Sequence, residues 1–396
     1  MNSVPKRLCY ICEATEGGVR KHLLDLLRVF LRDEQGLEIS CILGDRGEAG
    51  FRSELEAIKA AHPQLRYEFL PDFQREIRPL KDWRAYRGIK RCLREFKPDI
   101  VHTHSSKAGF LGREAARALG IRNVIHTAHV FPFQWSSGLR ARLFLALERR
   151  AASASRAIVC VSESQREDAL KRGLCAATKL IVVRNAIPPE TVAPLSREAA
   201  RSRLNLSDGA RVVGMVARLA PQKGVGVFLR AAAEVLRARP ETIFVLIGGG
   251  PLESEMRERV RTTLPITTAR SLSNAIGEGG QRFRLLGFRA DAEALYAAFD
   301  VLVLSSLYEG LPYVLLEAMS RGVPVVATDV LGSRDVVADG ETGLLARVND
   351  PSDIAAKIIE LLDDPEKLKR LGSAAKKRVA SEFSFDEFVR GHRELY

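Results

Sequence analysis

The sequence predicts an α/β protein made of two doubly wound, parallel-sheet domains, and three observations predict it. Short β-rich apolar runs alternate with helical patterns almost from end to end, the rhythm of βαβ units. That rhythm stops at Asn185-Ala186-Ile187-Pro188-Pro189 and then starts again. A chain of 396 residues also has room for two cores of ordinary size.

In the first half, strands are expected at Arg7–Cys12, Leu37–Leu43, Leu65–Leu70, Asp99–Thr103, Asn123–Thr127, Ala157–Val161 and Leu180–Val183. Helical segments lie between most of them, and the first runs from Val19 to Arg32. Two adjacent prolines block both helix and central strand, so Asn185–Pro189 reads as the linker. The domains are therefore bounded as 1–188 and 195–375. In the second half, strands are expected at Arg211–Ala217, Thr242–Ile247, Phe283–Leu286, Val301–Leu304, Val323–Thr328 and Gly343–Arg347.

Residues 262–280, rich in Ser, Thr and Gly, break the rhythm and read as a long loop. Ser384-Phe385-Asp386 looks like a cap that starts a last helix. Residues 376–396 are expected as a C-terminal helix returning to the first domain. Two such domains would leave a cleft lined by the carboxyl ends of strands, the usual ligand site of open α/β sheets.

Composition narrows the function. No apolar run approaches the roughly 20 residues needed to span a membrane. The stretch Leu8–Cys12 is too short for a signal peptide. The expectation is a cytoplasmic protein able to sit peripherally on the inner face of a membrane. Cys9 and Cys12 form a C-x-x-C with no second pair, and read as small buried hydrophobes rather than metal or redox groups.

The net charge of +12 is uneven. Between Arg75 and Arg172, 21 Lys+Arg face 9 Asp+Glu, which accounts for the whole excess. Phosphates, anionic lipid head groups or nucleic acid would suit such a surface. The aromatic–basic interleaving of a nucleic-acid module is not visible, so no nucleic-acid partner is expected. Residues 75–97 place basic side chains at 75, 78, 81, 84, 87, 91 and 94, with Ile77, Leu80, Trp83, Ile89, Leu93 and Phe96 among them. This is either a helix packed on the sheet with a solvated basic face or a face that lies on an anionic membrane.

The richest stretch is Glu309-Gly310-Leu311-Pro312-Tyr313-Val314-Leu315-Leu316-Glu317. Pro312 suits a helix's first turn, which puts Glu309 in the preceding loop and Glu317 on the early helix. Backbone N–H groups at such a start face an anion. Two carboxylates bracketing them suit a ligand with both hydroxyls and phosphates.

Four further features fit. Arg218 and Lys223 follow an expected strand and can clamp a diphosphate, against the plainer reading of a solvated turn. Gly248 opens Gly248-Gly249-Gly250-Pro251 at a strand end, where glycine admits a ligand or simply makes a loop. Gly17-Gly18 follows the first strand but is not G-x-G-x-x-G, which disfavours a nicotinamide oxidoreductase. His129 follows the strand at 123–127 and could hydrogen-bond a sugar hydroxyl or a developing charge. His102, His104 and His126 are near it in sequence, but they come from separate strands. No carboxylate completes a ligand set and there is no D-x-D, so no metal is expected.

Taken in order and spacing, these motifs resemble the GT-B glycosyltransferases, in particular the retaining family 4 enzymes. The family's E-x7-E matches Glu309…Glu317, with Ser305-Ser306 before it and Arg321-Gly322-Val323-Pro324 after it. Its basic pair matches Arg218 and Lys223-Gly224, and Val101–Gly109 looks like the first-domain signature of bacterial polysaccharide-assembly members. The resemblance covers essentially the whole chain.

It implies a hexosyltransferase that moves a sugar from a nucleotide-sugar to a glycan or lipid-linked acceptor with retention, in cell-surface polysaccharide synthesis, without a cofactor. Glu309 would contact the donor sugar and Glu317 the ribose. Gly310 and Leu311 would cradle phosphate and sugar by their backbone, and Gly17 and Gly18 would admit the diphosphate or the acceptor. Arg218 and Lys223 would stabilise the departing diphosphate, and His129 would contact the sugar. The base would stack near Gly287, Phe288 and Arg289. Many members carry a glycine pair and a glutamate where this chain has Leu331-Gly332-Ser333-Arg334-Asp335, so donor contacts there differ. A sugar-nucleotide epimerase of the same architecture is the alternative, separated by product analysis.

Overall fold

The computed structural model describes residues 6–34, 36–45, 49–189, 195–264 and 282–396. The chain divides into two compact units: Met1–Asn185 with Asp386–Tyr396, and Ala186–Phe385.

The first unit runs β1 (Lys6–Cys12), α1 (Gly17–Asp33), β2 (Leu37–Gly44), α2 (Ala49–Ala61), β3 (Arg66–Leu70), α3 (Pro79–Phe96), β4 (Ile100–His104), α4 (Ser106–Ala118), β5 (Val124–Thr127), α5 (Gly138–Ser153), β6 (Ala157–Cys160), α6 (Glu163–Lys171) and β7 (Leu180–Val182). Its strands pair in parallel in the order β3-β2-β1-β4-β5-β6-β7. Helices cover both faces of such a sheet, so β1, β4, β5 and β6 are buried nearly throughout. That is why they read as continuous apolar runs. A buried ion pair ties two helices of this unit. Arg113 donates to Glu148 at 2.7 Å and to the carbonyl of Gly109 at 2.6 Å.

The second unit runs α7 (Arg197–Arg203), β8 (Val212–Val216), α8 (Val225–Ala238), β9 (Ile243–Ile247), α9 (Glu253–Thr263), β10 (Phe283–Leu285), α10 (Ala292–Leu295), β11 (Val301–Leu304), α11 (Tyr313–Ser320), β12 (Val325–Thr328), α12 (Ser333–Val336), β13 (Gly343–Ala346), α13 (Pro351–Asp363) and α14 (Pro365–Glu382). Six parallel strands follow the order β10-β9-β8-β11-β12-β13. The order reverses between β8 and β11, the switch point at which open α/β sheets take ligands. Apolar residues of α8 at helical spacing, among them Phe228, pack with Phe244 and Phe283 of the sheet into the core.

Every expected strand is present, with ends displaced by no more than two residues. Three boundaries differ. Thr262 and Thr263 belong to α9, so the expected loop at 262–280 starts later; most of it lies outside the described residues. Asn185 is more than linker: it is buried and its side chain bonds to His22 of α1. The segment grouped with the first unit begins at Asp386 rather than 376. Asp364 caps the start of α14 and Pro365 opens it, and the helix continues to Glu382 packed against α11. The last helix, α15 (Phe385–Arg393), buries Phe388 and His392 in the first unit.

Candidate active site

In the second unit the predicted residues converge at the switch point. The loop after β8 and the loop after β11 are joined at Gln222: the Leu307 N–H donates to its carbonyl, and its side-chain amide donates to the Tyr308 carbonyl. Ser305 Oγ adds bonds to the carbonyls of Lys223 and Gly224. This lacing brings Lys223 to Glu309, at 2.5 Å between Nζ and Oε1. Ser306 Oγ donates to the same carboxylate oxygen at 2.6 Å. Glu309 is 6 % exposed. Arg218, half-buried, stands two residues past β8 on the same loop as Lys223.

Gly310 and Leu311 are buried in the turn that leads to α11. Pro312 is the N-cap of α11 rather than a first-turn residue, with extended φ −76° and ψ 118°, and no side chain caps the start. The helix is eight residues long. Glu309 lies three residues before its N-cap, and Glu317 is its fifth residue. Glu317 Oε2 accepts from the hydroxyl of buried Tyr296 at 2.7 Å. Burial, then the nearby Glu317 charge, raises the Tyr296 phenol well above its ordinary pKa, so it stays a donor.

Backbone approaches too tight for any Cβ hold these loops together. A Cβ on Gly248 would lie 1.8 Å from the Ala217 carbonyl oxygen, and Gly248 is at φ 147°. A Cβ on Gly332 would lie 2.0 Å from the Gly310 oxygen. The departure at 331–335 is therefore local: Leu331 replaces one glycine, but Gly332 keeps the contact beneath Gly310. Asp335, the third residue of α12, accepts from the Gly332 N–H and so caps the start of that helix.

Gly287 accepts from the Gly248 N–H, so the expected base region adjoins the β9 glycines. Phe288 is 75 % exposed, an aromatic face at the position expected for a base. Arg289 is held by Asp291 in a two-pronged ion pair at 2.8 Å on each side.

Gly17, Gly18 and His129 belong to the first unit. Gly17 and Gly18 open α1. His129 lies in the turn after β5 at φ 54°, left-handed and rare outside glycine. Gln165 holds that turn through the His129 carbonyl. The His129 ring lies against His104 and against His22, which sequence reading passed over because it sits inside an ordinary amphipathic helix. Around them His102 bonds Thr127 and Tyr396, His126 bonds Thr103, and His392 bonds the Phe388 carbonyl. Burial drives these imidazoles toward neutrality: His22, His102, His104 and His126 fall well below the usual value, His129 to about 3 and His392 to about 4.

The six cysteines are free, and all but Cys175 are buried. Burial pushes the Cys9 thiol far up, so it behaves as a hydrophobe.

Two family models divide the chain between them. The first unit matches Glycosyltransferase Family 4 over residues 16–191, and the second matches glycosyl transferases group 1 over 196–378. The chain is 30% identical over 337 residues to the UDP-Gal:alpha-D-GlcNAc-diphosphoundecaprenol alpha-1,3-galactosyltransferase of Escherichia coli, covering 84% of each. It is 30% identical over 312 residues to alpha-maltose-1-phosphate synthase of Mycolicibacterium smegmatis, covering 75% of this chain and 78% of that one. Among solved structures it is similar to Alr3699/HepE of Anabaena in complex with UDP and glucose, at TM-score 0.77 and 21% identity over 98% of both chains. It is also similar to WaaG, a glycosyltransferase involved in lipopolysaccharide biosynthesis, at TM-score 0.70 and 16% identity over 98% of both chains.

Proposed function

The chain belongs to the family 4 glycosyltransferases of GT-B fold, and we propose that it moves a hexose from a nucleotide-sugar to a lipid-linked or glycan acceptor with retention. The observation that carries the reading is the Lys223–Glu309 pair, set between the Arg218 loop and the start of α11. A cation and a carboxylate held in contact at a helix start suit a ligand that is anionic at one end and hydroxylated at the other. The E. coli relative is named for a UDP-sugar donor and a diphosphoundecaprenol acceptor, which supports that substrate class.

In this reading Glu317 holds the ribose, and the base lies over Gly287, Phe288 and Arg289. The N–H groups around Gly310 and Leu311, with Gly248, cradle phosphate and sugar. Glu309 and His129 contact sugar hydroxyls, and Gly17-Gly18 admits the diphosphate or the acceptor. The bond from the anomeric carbon to the diphosphate oxygen breaks, and the acceptor oxygen bonds to that carbon on the same face. The acceptor's proton passes to the departing diphosphate oxygen. Arg218 and Lys223 neutralise the charge that develops there, so the diphosphate needs no metal. A retaining hydrolase would instead use a second carboxylate as nucleophile.

Two measurements test this. A thermal-shift screen of UDP-, GDP- and ADP-sugars should find one nucleotide that stabilises the protein by about 2.7 kcal/mol at a hundredfold its dissociation constant. The product's anomeric signal in NMR should match the donor's and persist in EDTA. An inverted product, or an epimerised donor without acceptor, overturns the reading.

The bilayer is the natural home of such an acceptor. Among the described residues, no helix is long and apolar enough to cross a membrane. In the first unit, though, Ile77, Leu80 and Trp83 stand exposed at the start of α3 among the basic residues of 75–97. On the same sheet face, with α4 between, Trp135 and Leu139 and Leu143 of α5 are exposed beside Arg140 and Arg142. Both patches sit near helix N-terminal ends, hence toward the carboxyl ends of the parallel strands that precede them. They suit peripheral attachment to an anionic inner leaflet. Vesicle binding should rise with anionic lipid and fall with salt; binding indifferent to both excludes it.

A further inference from the structure

We propose that His22, His104 and His129 form a binding site for a zinc-class divalent transition metal in the first unit. One potential ligand nitrogen from each lies within 4.8 Å of the others. The three ring centroids are 5.4, 4.8 and 5.6 Å apart. Three imidazoles on one tetrahedral zinc, with Zn–N of about 2.0–2.1 Å, have nitrogens about 3.3 Å apart and centroids about 5 Å apart. Nδ1 of His104 and Nε2 of His129 are already 3.4 Å apart. Closing the set takes a rotation of the rings by about 1 Å at the nitrogens.

The surroundings are those of a ligand set. Asn185 Oδ1 accepts from His22 Nδ1 at 3.1 Å, which fixes the tautomer and leaves Nε2 basic. An outer partner of this kind orients metal-bound histidines. Among the described residues the buried Nε2 of His104 has no hydrogen-bond partner, so that ring can turn without giving up a bond there. Metal binding requires neutral imidazole, the form that a site buried from water favours. Three histidines suffice without a carboxylate, and a fourth position remains for water or another ligand. His22 and His104 are fully buried, while His129 is half-buried and the most accessible of the three.

The consequence rests on the function proposed above. A metal that holds the His129 ring denies it to the donor sugar, so occupancy inhibits transfer.

The test is titration of the whole protein with Co2+, read by the visible bands of a tetrahedral nitrogen-ligated ion, and with Zn2+ by calorimetry. Bands are expected in the native protein. They should vanish in His22→Gln and in His104→Gln, each checked for native circular dichroism. Asn185→Ala keeps all three ligands and carries the test if those variants do not fold; it should weaken binding about 10–100-fold. Absence of bands, bands unchanged in the variants, or the intense thiolate transitions of cysteine binding each overturn the site. Tight binding at the site with no slowing of transfer by Zn2+ would leave the site standing and remove the sugar contact assigned to His129.

Discussion

Lys223 Nζ lies 2.5 Å from Glu309 Oε1, and the carboxylate is almost fully buried. Removing only the lysine leaves a buried charge whose remaining partner is the Ser306 hydroxyl. Lys223→Ala should therefore lower unfolding stability by about 1–3 kcal/mol. Adding Glu309→Gln to it should recover part of that loss. Urea denaturation of the two single variants and the double variant measures the coupling, and strict additivity would show that the two groups do not interact.

Roles at the donor site separate kinetically. Arg218→Ala should cut turnover on the order of 10²–10³, the cost of losing one donor to transition-state charge. Glu309→Ala should mainly slow transfer, whereas Glu317→Ala should mainly raise the donor KM. Steady-state kinetics with varied donor decide; unchanged turnover in the Arg218 variant removes it from the mechanism.

Tyr296 acts through Glu317 and touches no expected ligand itself. Tyr296→Phe deletes the 2.7 Å bond while keeping the ring that packs near Phe299. One such bond is worth about 0.5–1.5 kcal/mol, so donor KM should rise roughly 2–10-fold with kcat nearly constant. A fall in kcat alone would contradict a positioning role.

The buried histidines make stability pH-dependent with a definite sign. In the unfolded chain they protonate near the ordinary value of 6.5, whereas folded His129 and His392 resist protonation down to about 3 and about 4. Below 6.5 the unfolded state binds more protons, so stability falls with pH. It should be complete above pH 7 and decline steadily from about 6.5 toward 4. Thermal unfolding across that range checks it. His392→Gln, which removes one fully buried imidazole, should flatten the profile.

Much of this was legible in one sequence because parallel strands buried on both faces cannot hide. Runs such as Val301–Leu304 are apolar at every position, and a helix follows most of them at βαβ distance. Glu309, Lys223 and Arg218 were legible too, since strand ends and turns are marked by glycine, proline and charge. Tyr296 and His22 were not. Each looks like routine amphipathic filling until the fold sets its side chain against Glu317 or against His104 and His129. Pro312 stands one position before the first turn that its sequence context suggests, because its fixed φ suits N-cap and first turn alike. The start of the last segment is hidden in the sequence because the pattern of α14 runs unbroken to Glu382, and only packing on α11 assigns that helix to the second unit.

The Gly248 and Gly332 contacts constrain how this enzyme can diverge. In each, the atom that bars a Cβ is a main-chain oxygen, at 1.8 and 2.0 Å. Reshuffling neighbouring side chains cannot make room. A lineage that drifts at either position must rebuild two loops together. Exposed side chains nearby, such as Phe288, are free to be exchanged over a main-chain framework that stays fixed.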